Sequence, residues 1–259
     1  MNYWRGRQTQ PYRPGQTEAY KVSRSKIEMF LRCPRCFWLD QRLKIKQPSM
    51  PPFLINSAVD ELFKNEFDIY RAKGEQHPLQ KKFKVDAKPF AHKDLDTWRH
   101  TFTGIQHLHE DTNLMIFGGV DDVWINPKGE LIIVDYKATA KKKEITDLDP
   151  PGGWHDAYRR QMEVYQWLFK QNGFPTSDTG YFVYANGIQN NPRFDDKVEF
   201  RTNVFPYEGN SGWVDEEVKN VKKCLEGDMP ANDPDCEHCN YTAERLKLTL
   251  EALRTRQKK

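Results

Sequence analysis

The 259-residue chain has no run approaching 18 consecutive apolar residues, so no transmembrane helix is expected. Its opening, MNYWRGRQTQPYRPGQ, contains no apolar stretch of the kind a secretory signal carries. A cytoplasmic location is the resulting expectation. No Gly-x-x-x-x-Gly-Lys-Ser/Thr sequence occurs, so a phosphate-binding loop and the helicase motor built on it are excluded. Internal repeats are absent. Cysteine is scarce, at five residues. Four of them form Cys33-x-x-Cys36 and Cys236-x-x-Cys239, and without a secretion signal that pattern favours a metal over disulfides. His77, His92, His100, His107 and His109 show no metal-ligand spacing and read as surface or packing residues.

What is present begins with charge. Lys, Arg, Asp and Glu make up 30% of the chain and apolar residues 37%, enough for a core under a very polar surface. The net charge of +3 conceals an uneven spread. Residues 1–26 and 245–259 each hold six Lys/Arg and one Glu, which leaves an acidic body between basic ends. Basic ends are either arms for a polyanion or plain solvated tails.

Residues 1–20 lack periodicity and read as a disordered basic tail. A helix is expected from Lys21, with Ser25 and Glu28 as a capping box, running into the first Cys pair. A second should start at Asn56 or Ser57, carry Val59, Leu62, Phe63, Phe67 and Tyr70 on its apolar face, and end at Gly74. Lys82–Val85 and Trp98–Gly104 read as strand or loop. A strong helix is expected over 155–172, closed by Gly173, with Tyr158, Met162, Tyr165 and Phe169 facing inward. Strands at 180–185 and 198–205, a helix at 213–225 containing a buried Cys224, and a basic helix from Thr242 follow.

The centre of the chain carries the chemistry. Gly118–Ile125 and Glu130–Lys137 read as two strands joined by a turn at Asn126, Pro127 and Gly129. Side chains alternate along a strand, so Asp135 and Lys137 share a face with Ile133. Two charges ending a buried strand are costly without compensation. A divalent cation between Asp135 and Asp121 would supply it, and an ordinary Asp–Lys pair at a solvent-facing strand end would also do. Hard divalent ions bind carboxylate oxygens, and phosphodiester hydrolysis needs such an ion together with a nearby cation.

Gly118-x-Val120-Asp121-x-Val123 followed by Ile133-Val134-Asp135-Tyr136-Lys137 resembles the D…(D/E)xK signature of the PD-(D/E)xK nuclease superfamily. Gln161-Met162-Glu163-Val164-Tyr165 is similar to the QxxxY motif of its RecB-like branch. Ser23–Trp38 resembles that branch's N-terminal segment, and Ser57–Leu62 its helix carrying a metal-binding His. The resemblance covers most of residues 21–241. It implies a restriction-endonuclease-like α/β core, a mixed central sheet flanked by helices. It implies Mg²⁺ or Mn²⁺ held by Asp121, Asp135 and the Tyr136 backbone carbonyl. Lys137 would act on the water or the scissile phosphate, Gln161 would position the site or DNA, and Tyr165 would help it. Asp60 stands where the family often has His. Asp is a competent hard ligand, so Asp60 is either a fourth ligand or the mark of a degraded site in a DNA-binding or scaffold protein.

Two CxxC pairs complete a four-thiolate set. RecB-like relatives with a [4Fe–4S] cluster place one Cys near the N-terminus and three in a C-terminal C-x-x-C-x₅-C. Arg245 stands at the last of those positions here, and Cys36 would replace it. The resemblance leans to the cluster, and the spacing alone leans to Zn²⁺. Lys141, Lys142 and Lys143 leave the edge of the proposed site and are candidate phosphate contacts, with Trp154 and Tyr158 as candidate stacking rings. The expectation is a nuclease domain over 21–241 with a basic helix at 242–259, acting on DNA ends or single strands. Its likeness to RecB-type repair and CRISPR-adaptation nucleases implies a helicase or adaptation partner.

Overall fold

The computed structural model describes residues 3, 8–48, 51, 53–153 and 155–257. The strands are β1 (Tyr20–Ser23), β2 (Lys88–Pro89), β3 (Ile105–His109), β4 (Leu114–Gly118), β5 (Asp122–Ile125), β6 (Leu131–Thr139), β7 (Thr179–Gly187) and β8 (Phe200–Glu208). The helices are α1 (Arg24–Arg32), α2 (Pro34–Leu43), α3 (Leu54–Lys73), α4 (Pro78–Lys82), α5 (Leu95–Arg99), α6 (Asp156–Gln171), α7 (Val214–Glu226) and α8 (Glu237–Gln257). They form a mixed α/β structure. Among the described residues no helix is long and apolar enough to cross a membrane.

The chain divides into two compact units. The first draws on Pro51–His107 and Ile116–Val214, the second on Gln8–Met50, Leu108–Met115 and Asp215–Lys259.

The first unit is built on a five-stranded sheet of order β2-β5-β6-β7-β8. β5 and β6 are the expected hairpin, antiparallel with Asp122 opposite Val134 and Ile125 opposite Leu131. Asn126 organises its turn, its Oδ1 accepting from the backbone N–H of Lys128 (3.0 Å) and Glu130 (2.9 Å). Gly129 takes φ +82°, where a side chain would be strained. β6 and β7 run parallel, so a crossover is required, and α6 supplies it.

Strand alternation sorts β6 onto two helices. Ile132, Val134 and Tyr136 pack with Phe63 and Phe67 of α3, Trp124 and Val183 in one apolar cluster. Ile133, Asp135 and Lys137 take the opposite face. On that side Gly180 of β7 lets α6 come close, since a Cβ there would stand 2.5 Å from Met162 Sδ. Leu131 to Tyr136 are therefore buried without interruption, the pattern of a strand covered on both faces.

In the second unit α1 and α2 follow β1, and Ile27, Phe30 and Phe37 are buried. Ser23, rather than Ser25, is the N-cap of α1, and its side chain makes no cap bond, so the expected Ser25–Glu28 box does not form. Residues 8–20 also differ from a disordered tail. Tyr12 is 2% exposed and hydrogen-bonds Glu226, because a large ring gains more by burial than its segment loses in freedom. Neither of the two doubtful segments is a strand: α4 ends at Lys82 and α5 occupies Leu95–Arg99. His77 caps α4 and stacks on Phe67, and His92 stacks on Trp98.

Candidate active site and thiolate cluster

Asp121 sits just before β5, and its Oδ2 accepts from the backbone N–H of Tyr136 at 2.8 Å. That bond ties it to the strand carrying Asp135. Asp135 is fully buried. Its Oδ1 accepts from Gln161 Nε2 at 2.7 Å, and its Oδ2 pairs with Lys137. The Tyr165 hydroxyl lies 3.4 Å from the same Gln161 nitrogen. Gln161 thus orients Asp135, with Tyr165 one turn further along α6.

Asp60 projects from the second turn of α3 and pairs with Lys64 at 2.6 Å. Burial first, and Asp121 next, push its pKa above the usual carboxylate range. Burial and the neighbouring Asp135 push Asp121 to about 6. Burial alone would lower the Lys137 ammonium, but Asp135 and Asp121 outweigh it and hold it above an ordinary lysine. Three acids and one lysine are thus electrostatically linked at one end of the sheet. Mutual repulsion among carboxylates is what a divalent cation relieves, and oxygen donors suit Mg²⁺ or Mn²⁺. Lys141, Lys142 and Lys143 follow β6 and are exposed. Asn186 of β7 fixes the start of that run, accepting from Lys141 N and donating to Lys141 O. Trp154 lies outside the described residues.

Asp122 has a different task from its neighbour. It is fully buried and pairs with Arg71 and Arg99, the latter at 2.8 Å. It also accepts from the Tyr136 hydroxyl (2.8 Å) and Trp124 Nε1 (3.2 Å). Its carboxylate is saturated by this network, whereas Asp121 faces the acids and Lys137. The sequence alone separated the two only by the phase of Val120 and Val123. Arg71 and Arg99 also share Asp68, and their pairing with Asp122 carries no sequence signal because it lies 51 and 23 residues away.

The second cluster is made of sulfur. Cys33 caps α2, where its Sγ accepts from Cys36 N, and Pro34 occupies the first turn. Cys236 immediately precedes α8, whose first turn holds Cys239. Each CxxC therefore straddles a helix N-terminus. The four Sγ atoms lie within 4.8 Å of one another. Cys36 stands 3.6 Å from Cys236 and 3.5 Å from Cys239, and Cys33 is 3.8 Å from Cys239. Burial raises the Cys33 thiol, but backbone hydrogen bonds from Asp233 and Cys36 outweigh it and bring it to about 7. Burial pushes Cys36 up to about 11 and Cys239 higher. The set joins N- and C-terminal segments and is suited to hold a metal. Cys224 stands apart from it, half-buried with its thiol raised to about 11 by burial.

No curated protein matches the chain. A solved structure described as the crystal structure of SSO0001 aligns at 14% identity over 88% of this chain and 86% of that one, with a TM-score of 0.39. So low a score carries no weight for fold or function. The model of the PD-(D/E)XK nuclease superfamily matches residues 54–243. That span opens with the helix bearing Asp60 and holds the whole acid–lysine arrangement. On the strength of that match the chain belongs to the PD-(D/E)XK nuclease superfamily.

Proposed function

We propose that this chain is a divalent-metal-dependent deoxyribonuclease of the RecB-like branch that hydrolyses phosphodiester bonds at DNA ends or in single strands. The observation that carries the reading is the contact of Lys137 and Gln161 with Asp135, next to Asp121 on the Tyr136 backbone N–H. Asp60, Asp121, Asp135 and the Tyr136 carbonyl would hold Mg²⁺ or Mn²⁺. When bound, such an ion supplies Lewis-acid charge and lowers the pKa of a coordinated water. Lys137 orients that water or neutralises the scissile phosphate. Water attacks phosphorus, the P–O bond to the leaving strand breaks, and the leaving oxygen ends protonated. Gln161 keeps Asp135 in register, and Tyr165 supports Gln161. Lys141, Lys142 and Lys143 contact backbone phosphates, a sequence-independent attraction that weakens with salt. Unwinding of duplex would fall to a helicase or an adaptation partner.

The thiolate site fits one tetrahedral ion. A Zn–S bond of ~2.3 Å implies S···S edges of about 3.8 Å, and the three contacts at 3.5–3.8 Å meet that value. A four-iron, four-sulfide cube would have to force the sulfurs apart to fit among them. These contacts support a structural zinc over a cluster.

The test is Mn²⁺-supported cleavage of end-labelled single-stranded DNA by wild type, Asp135→Ala and Lys137→Ala. Cleavage by wild type and a loss of at least about a hundredfold in both variants is expected, the scale of removing one transition-state charge partner. Cleavage unchanged in the variants, or none in wild type with either ion, would refute the enzyme reading. It would favour the scaffold alternative that Asp60 raises.

A further inference from the structure

The Lys137 side chain is nearly enclosed, with 15% of its surface exposed. Asp135 holds one side of its ammonium. Nζ also lies over the face of the Tyr158 ring, 4.6 Å from its centroid. Tyr158 is on α6, three residues before Gln161 and seven before Tyr165, so all three share one helical face. Tyr158 is half-buried, and its ring face meets the lysine.

The ring is itself backed. His155 is 1% exposed and its ring centroid lies 5.7 Å from that of Tyr158. Its Nδ1 accepts from the backbone N–H of Asp149 at 2.8 Å. Its Nε2 faces the Tyr184 hydroxyl at 3.4 Å. Burial holds the imidazole below its ordinary pKa, so it packs as a neutral ring. Tyr184 stands opposite Lys137 in the β6–β7 register. His155 thereby pins the segment leading into α6 to the strand beside Lys137, and Tyr158 emerges one turn later.

We infer that Tyr158, backed by His155, is the positioning residue for Lys137: its ring face holds the ammonium over Asp135 and limits where the side chain can go. Lysine has a long, freely rotating stem and an ammonium with no preferred plane. A carboxylate alone fixes the distance of such a group but not its direction. An aromatic face attracts the cation as well, and more strongly when water is excluded. Holding a catalytic group in a near-attack position is where such a contact acts on rate. The inference rests on the proposed reading of Lys137 as the site's cation, but its first test does not need activity.

That test is competitive labelling of wild-type, Tyr158→Phe and Tyr158→Leu proteins with an amine-acylating reagent. Modification at Lys137 is read by mass spectrometry against exposed Lys142 in the same chain. Leu removes the ring at similar volume, and Phe keeps it. Lys137 labelling is expected to rise about tenfold in Tyr158→Leu and to stay within about twofold of wild type in Tyr158→Phe, the scale of one desolvated cation–ring contact. Should circular dichroism show the Leu variant misfolded, Tyr158→Met is read in its place. Labelling at the wild-type rate in the ring-less variant overturns the inference. In the cleavage assay the same variant should lose about tenfold in kcat with KM within about twofold, Phe should restore it, and the loss should vanish in a Lys137→Ala background. An equal loss in that background also overturns it, because a merely structural role predicts that result. A wild type that cleaves nothing counts against the proposed function and leaves the labelling result to judge Tyr158.

Discussion

The acid–lysine site and the thiolate cluster are both gatherings of ionisable side chains, and they are neutralised in opposite ways. Around Asp135 every charge has a protein partner: Lys137 for Asp135, Lys64 for Asp60, a backbone N–H for Asp121. Around Cys36 the nearest neighbours include two other thiols, at 3.5 and 3.6 Å, with Gln47 beside them. A set already supported by lysines and amides can bind and release an ion without losing its shape. Four thiols packed on one another have few partners outside the set, so on the proposed reading their ion becomes part of the fold. On the proposed reading, the first region is built for exchange and the second for residence.

The sharpest way to break that comparison is at sulfur. Cys36→Ser is expected to lose its ion and with it stabilisation on the order of 10 kcal/mol. Metal stoichiometry and limited proteolysis around residues 33–45 and 237–257 check this. Next in size is Asp122→Ala, which takes the fully buried partner from Arg71 and Arg99 and leaves them only the half-exposed Asp68, at a cost of about 3 kcal/mol in urea unfolding. Its neighbour should respond with the opposite sign. Asp121→Asn keeps an acceptor for Tyr136 N and removes a carboxylate whose pKa is pushed to about 6. In divalent-free buffer it should gain about 1–3 kcal/mol, at ~1.36 kcal/mol per pK unit, while cleavage is lost. On the proposed reading, activity and stability pull apart there because the acids serve the ion.

The smallest effect concerns Lys21, 2% exposed, whose pKa burial lowers to about 8. Its folded state prefers the neutral amine. The stability this lends is present above the unfolded lysine range and is lost as pH falls through about 8. Wild type should therefore gain stability between about pH 8 and 10.5 relative to Lys21→Met, with a slope difference below ~1.4 kcal/mol per pH unit. Parallel pH profiles for the two proteins would remove Lys21 from the account.

The hairpin, the α3 and α6 helices and the four-cysteine set were legible because their signals are local. Alternation, turn residues and i, i+4 spacing all act within a few positions, as in Gln161 and Tyr165. Membership of the superfamily was legible from the same stretch. What escaped depends on partners far along the chain. The Arg71–Asp122–Arg99 network, the burial of Tyr12 against Glu226 and the place of His155 beside Tyr184 have no sequence periodicity. The start of α8 was placed at Thr242 although the helix begins at Glu237, since a CxxC reads as a loop until its second Cys joins a first turn.

One measurement bears most directly on the contrast between an exchangeable and a resident ion. Mn²⁺ is titrated by calorimetry into wild type, Asp135→Asn and Asp121→Asn, each purified with its thiolate ion in place and assayed for zinc. The account predicts Mn²⁺ binding in wild type that is lost in both variants, with one zinc per chain unchanged in all three. Mn²⁺ binding that persists in both variants, or zinc that leaves as Mn²⁺ enters, would contradict it.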